Sequence, residues 1–283
     1  MERKVKLKVQ GFRTQDGAGV RLVRVLGNET VKQYDPILML DSFDSVNPDD
    51  YTAGFPMHPH RGIETISYVY RGYMTHRDSL GNEETIGNGE VQWMTAGSGI
   101  LHEEKLPPSD RLLGVQLWLN LPAKEKMVPP AYHSIKNSMI EEIKLENGML
   151  RLLAGEYEGR KGFMSKYLPL DYYDLHLEQN ASVILNTKTD RSVMIFTLLG
   201  QIFIGGERIE EKTAVKLTAG EYVELKTSDQ RAQVLFISST ILEEPVVWGG
   251  PIVMNTKEEL DLAFEDLRRG TFIQNKISYE ETN

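Results

Sequence analysis

Three of the six histidines in this 283-residue chain fall in two short motifs, His58 and His60 as a His-x-His pair and His102 in His102-Glu-Glu104. Residues i and i+2 of a strand project from the same face, so His58 and His60 can converge from one strand, and His102 and Glu104 from another. Three neutral imidazoles and one carboxylate form a ligand set of intermediate hardness, suited to Fe(II), Mn(II), Ni(II), Cu(II) or Zn(II). In a six-coordinate ion, four protein ligands leave two positions open, which an oxygenase needs to hold substrate and dioxygen together. Four-coordinate zinc would instead be saturated and structural. The His-x-His pair alone is weak, since roughly 0.13 such pairs arise by chance at this composition. The second pair raises its weight.

Other candidates near this set are more ordinary. Glu64 lies four residues past His60 and has three readings: a fifth ligand, a partner to an imidazole, or a solvated strand residue. Glu103 should face away from His102 and Glu104 on a regular strand. His76, His133 and His176 stand without partners in the sequence and read as non-ligands.

The elements that must position these residues are short strands. The run Val115 to Leu121, together with 192–198, 201–204, 214–217, 222–225 and 234–237, is β-branched or aromatic-rich and bounded by glycine, asparagine or charged turns. That pattern indicates a sandwich or barrel. Gly81-Asn82 and Gly205-Gly206 are the expected hairpin turns. One segment reads as helix: Thr256 and Glu259 form a capping box, Leu260, Ala263, Phe264 and Leu267 share a face, and Gly270 supplies the stop. Its apolar face must dock on a barrel.

An internal repeat at an offset of about 128 residues suggests two similar halves. It aligns the strand before Gly72 with that before Gly200, and Gly89-Glu90 with Gly220-Glu221. The proline-rich stretch 121–130 is the expected linker, dividing the chain into residues 1–130 and 131–283. The same offset carries His58 and His60 onto Asn186 and Lys188, so the second half is expected to be metal-free. It would cover the open end of the first half and bury the helix.

Composition narrows the function classes. With no cysteine, the chain has no disulfide scaffold, thiolate zinc site, iron–sulfur cluster or cysteine nucleophile. A net charge of −9, from 41 acidic and 32 basic residues, repels nucleic acid and anionic membrane. No apolar run approaches the roughly 20 residues of a membrane helix, and no signal region follows the charged start. The expectation is a soluble, cytoplasmic monomer with no direct nucleic-acid or membrane partner.

The segments Phe55-Pro-Met-His-Pro-His-Arg-Gly-Ile-Glu-Thr65 and Val91-Gln-Trp-Met-Thr-Ala-Gly-Ser-Gly-Ile-Leu-His-Glu-Glu104 resemble the pirin family of the cupin superfamily. Gly17 to Arg21, Asp35 to Phe43 and Leu113 to Leu121 support the likeness, which spans essentially the whole chain and is looser in the second half. It implies an all-β bicupin, two tandem cupin barrels with a short C-terminal helix, and one non-haem Fe(II) in the N-terminal barrel. By that resemblance the family's ligands fall on His58, His60, His102 and Glu104, and Glu64 is left as a partner to an imidazole rather than a ligand. The implied activity is a dioxygenase of the quercetin 2,3-dioxygenase type, acting on a flavonol-like aromatic enol with dioxygen, with Glu104 as both ligand and catalytic base. The alternative it implies is an iron-dependent redox sensor that docks on a protein partner as a transcriptional co-regulator.

Overall fold

The computed structural model describes residues 1–274. Each half of the chain builds one seven-stranded and one four-stranded antiparallel sheet. In the first half the large sheet runs, in spatial order, Ala131–Ile135, Glu90–Thr95, Ile63–Arg71, Leu112–Asn120, Ile37–Ser45, Val20–Leu26 and Phe12–Asp16. The small sheet is Phe55–His60, Ile100–Lys105, Met74–Asp78 and Glu83–Ile86. The second half repeats this plan, with Arg191–Leu199 in the place of Ile63–Arg71 and Ser182–Asn186 beside Tyr222–Lys226 in its small sheet. The fold is the expected mostly-β bicupin with a short C-terminal helix.

The two large sheets pack face to face. Ile66, Tyr68, Trp93 and Leu117 from the first share one apolar cluster with Tyr172, Met194, Phe196 and Leu235 from the second. Their central strands are therefore buried on both faces, as the unbroken burial of Leu112–Asn120 shows, with Gln116 and Asn120 buried among its apolar residues. A polar lock crosses the same interface. Buried Tyr68 donates to Asp174 Oδ2 at 2.5 Å and accepts from Arg151 at 2.8 Å, while Gln233 and His176 complete the carboxylate's partners.

The first strand of each half is exchanged between the barrels. Val5–Gln10 pairs with Thr213–Leu217 in the second large sheet, and Ala131–Ile135 pairs with Glu90–Thr95 in the first. The stretch 121–130 is no free linker: buried Lys126 donates to Gly62 O, Asn120 Oδ1 and Val253 O, fixing it to the first barrel. From residue 247 the chain returns to the first barrel and lies over it as a hairpin, Val247–Gly249 with Ile252–Met254, followed by the helix Lys257–Arg269. This segment, and not the second barrel, lies against the opening of the first. The helix is capped as expected, Thr256 accepting from Glu259 N and Gly270 adopting φ +71°. Its last turn is tied down where Arg61 Nη1 meets Asp266 Oδ2 at 2.8 Å and the guanidinium lies over the Phe272 ring.

The repeat is real at one of its two marks. Ile63–Arg71 and Arg191–Leu199 are equivalent, but Gly89 precedes a strand of a large sheet and Gly220 a strand of a small one. Gly-Glu before a strand is too common a turn signal to fix register. Among the described residues no helix is long and apolar enough to cross a membrane.

Candidate metal centre

The site is built on the small sheet of the first barrel. Phe55–His60 pairs antiparallel with Ile100–Lys105, and the register sets His102 directly opposite His58. With His60 two residues along, three imidazoles converge, their ring centroids 4.4 to 5.0 Å apart. His60 and His102 are buried and His58 is half-buried. Among the described residues, these three form the one group of ligand side chains whose donor atoms all lie within 4.8 Å of one another.

The hydrogen bonds assign the tautomers. His58 Nδ1 lies 2.8 Å from Pro56 O, and His60 Nδ1 lies 2.9 Å from Pro251 O. A carbonyl only accepts, so both Nδ1 atoms carry hydrogen and both Nε2 atoms present lone pairs. Those two Nε2 atoms are 3.0 Å apart, a separation at which lone pairs repel unless a proton or metal cation sits against them. Burial opposes the proton: desolvation first, then neighbouring His58, pushes His60 down to about 3, and desolvation and the other histidines lower His102 as well. His102 Nε2 is buried with no hydrogen-bond partner. This donor set fits a metal ion that would take the Nε2 atoms of His58, His60 and His102.

Glu104 stands outside that group. It is buried two residues from His102, and its Oε1 accepts from Gln92 Nε2 at 2.5 Å and from Gln116 Nε2 at 3.1 Å, with Oε2 also 3.1 Å from Gln116. The structure thus brings three of the four expected ligands together and holds the fourth residue in a cradle of two amides. Glu103 faces outward to Arg77, as alternation requires.

Glu64 is neither ligand nor partner of an imidazole. Gly62, at φ +80°, turns the chain between the two sheets and resets the alternation, so Glu64 shares a face with Ile66 and Tyr68, toward the second barrel. There it accepts from Thr95 Oγ1 at 2.7 Å, and burial raises its carboxyl. A side chain at residue 62 is also excluded by the returning C-terminal hairpin, since a Cβ would lie 2.0 Å from Val253 O.

Two histidines read as unpartnered have partners. His76 Nε2 meets Asp78 Oδ2 at 2.8 Å, and His176 Nε2 meets Asp174 Oδ2 at 2.9 Å, each pair two residues apart on one strand. That spacing is visible in the sequence as His-x-Asp and Asp-x-His, and it was the available signal. The walls of the site carried no such signal. A cavity of about 560 Å³ opens onto His58 and His60, walled by Met39, Phe55, Trp118 and Trp248. Trp118 stands edge-on to His60 and lies 5.5 Å from Trp248 of the C-terminal hairpin. A larger open groove between the barrels, lined by Arg13, Arg21, Arg111 and Lys212, contains none of the histidines.

In the second barrel, the corresponding strands Ser182–Asn186 and Tyr222–Lys226 contain no histidine. Val183, Leu185, Val223 and Leu225 from them fill an apolar core.

Comparison with known proteins agrees with this architecture. The family model described as Pirin matches residues 19–119, and that described as Pirin C-terminal cupin domain matches residues 172–273. A pirin-like protein of Caulobacter vibrioides is 39% identical over 93% of this chain and 97% of its own. Pirin of Rattus norvegicus is 36% identical over 94% and 92%. The crystal structure of a quercetin 2,3-dioxygenase from Acinetobacter baumannii superposes with a TM-score of 0.89 at 33% identity, covering 96% of this chain and 99% of that one.

Proposed function

The chain belongs to the pirin family, and from that premise we propose that it is an Fe(II)-dependent dioxygenase of the quercetin 2,3-dioxygenase type, acting on flavonols or a related aromatic enol. The observation that carries the metal is the convergence of three imidazoles, with ligand atoms within 4.8 Å of one another, where burial disfavours protonation of His60 and His102. The likeness to the Acinetobacter quercetin 2,3-dioxygenase supports the choice of reaction. Softness alone leaves Mn(II), Ni(II), Cu(II) and Zn(II) as other occupants. The absence of cysteine fits a cytoplasmic setting.

A bound metal would lower the pKa of the substrate hydroxyl and hold it beside dioxygen. The remaining work belongs to the chain. His58, His60 and His102 would hold the ion, and Glu104, which rests on Gln92 and Gln116 outside their cluster, would be the fourth ligand. Trp118 and Trp248, in contact with one another, form one aromatic wall of the cavity against which a planar ring could pack. Glu104 takes the proton of the substrate's 3-hydroxyl, and the amides of Gln92 and Gln116 steady its carboxylate while it does so. Addition of both oxygen atoms across the heterocycle then yields a depside and carbon monoxide. Turnover of flavonols by the iron-loaded protein, with carbon monoxide as the product sought, tests the reading.

A further inference from the structure

The three imidazoles are not held alike. The Nδ1–H groups of His58 and His60 end on backbone carbonyls, Pro56 O and Pro251 O. His102 Nδ1 instead faces the Nδ1 of another histidine, His76, at 3.3 Å. His76 is wholly buried and lies flat on Tyr132, with centroids 4.2 Å apart and planes at 13°, so its ring is locked. Its far nitrogen meets Asp78 Oδ2 at 2.8 Å.

The protons of this chain can be placed. Asp78 accepts from Leu80 N at 2.8 Å, Asn82 N at 3.1 Å and Asn82 Nδ2 at 2.9 Å, so its carboxylate is an acceptor on every side. His76 Nε2 therefore donates to it, and a neutral His76 is left with a lone pair on Nδ1. His102 Nδ1 must then donate to His76, which leaves His102 Nε2 as the bare donor atom already found buried and unpartnered. Taking His102 as a metal ligand, as in the function proposed above, we infer that His76, backed by Asp78, is a positioning residue that fixes the tautomer and orientation of His102 and makes it the most electron-rich of the three imidazoles. A carboxylate acting through an imidazole polarises the ligand more than a carbonyl does, raising metal affinity and favouring the higher oxidation state of a bound iron. No proton need move for either effect.

The test uses the full chain with His76→Phe, which keeps the ring stacked on Tyr132 but removes both hydrogen bonds. His76→Asn is its conservative partner, since an amide oxygen can accept from His102 without reaching Asp78. Affinities for Ni(II) and Fe(II) are measured by chelator competition, the Fe(III)/Fe(II) midpoint potential by titration, and the melting of the metal-free protein alongside. The Phe variant is expected to lose metal affinity by about 10- to 100-fold, the Asn variant to fall between it and the wild type, and both to show a raised midpoint potential. Variants that bind both ions as tightly as the wild type, with an unmoved potential, would overturn the inference even if their melting dropped. If the Phe variant does not fold, the Asn variant decides by the same criteria. A wild-type chain that bound neither ion would remove the metal reading itself, so the two failures are distinct.

Discussion

The carbonyl oxygen of Pro251 accepts a hydrogen bond from Nδ1 of His60 at 2.9 Å, across 191 positions of sequence. A histidine of the candidate metal centre on the first barrel is thus oriented by the segment that follows the second. The same hairpin brings Trp248 to the cavity and Val253 O to Lys126. Assembly of the site therefore requires the C-terminal segment to be docked.

Single replacements of His58, His60 or His102 by alanine should each lower bound metal well below one per chain, measured by elemental analysis of protein reconstituted without oxygen. Glu104→Gln should behave differently. A neutral amide between Gln92 and Gln116 can still occupy the space but cannot take a proton, so metal should be largely retained while turnover is lost. Equal losses of metal and turnover would remove the base role from Glu104.

Trp248→Ala should raise KM for flavonols by about tenfold, in line with the roughly 0.5–1.5 kcal/mol of a ring contact plus its lost area. Its effect on metal content should be small, because Trp248 touches Trp118 and not the imidazole donor atoms. Steady-state kinetics beside metal analysis would separate the two.

The docking of the C-terminal segment should weaken in acid. Arg61 holds the Asp266 carboxyl below its ordinary range through their hydrogen bond, opposed by a smaller desolvation effect. A depressed folded value means that the stabilisation is present above the unfolded pKa of about 4 and is lost as pH falls through the folded one. The stability gap between wild type and Asp266→Asn should then be constant from neutral pH to mildly acidic pH and close below about 4. Denaturation followed by tryptophan emission across that range checks it, and a gap independent of pH would contradict the assignment.

At the barrel interface, Tyr68→Phe removes a hydroxyl bonded to both Asp174 and Arg151. Leaving these buried groups short of a partner should cost about 1–3 kcal/mol. Urea unfolding would measure it, with the metal site expected to remain intact because Tyr68 lies on the opposite face of its sheet.

What could be read from sequence followed the range of each interaction. His58, His60 and His102 were legible because period-two alternation and a shared motif act over a few residues, and the helix was legible because Thr256, Glu259 and Gly270 are local caps. Glu64, set beside an imidazole by the family resemblance alone, points the other way because the positive φ at Gly62 ends one strand and begins another. His76 was passed over although its aspartate lies two residues away, since its bond to His102 spans 26 positions. Trp248 and Pro251 reach the site only through the return of the chain end, which no local pattern encodes. The proline-rich stretch looked like a linker because the cavity that buries Lys126 is made by residues far along the chain.

Dioxygen uptake by anaerobically prepared, Fe(II)-reconstituted protein given quercetin tests the central claim most directly, with iron content determined on the same sample and His58→Ala as control. The expected result is one iron per chain, uptake accompanied by carbon monoxide release, and neither in the control. One iron per chain with no uptake would contradict the dioxygenase assignment while leaving the metal centre in place.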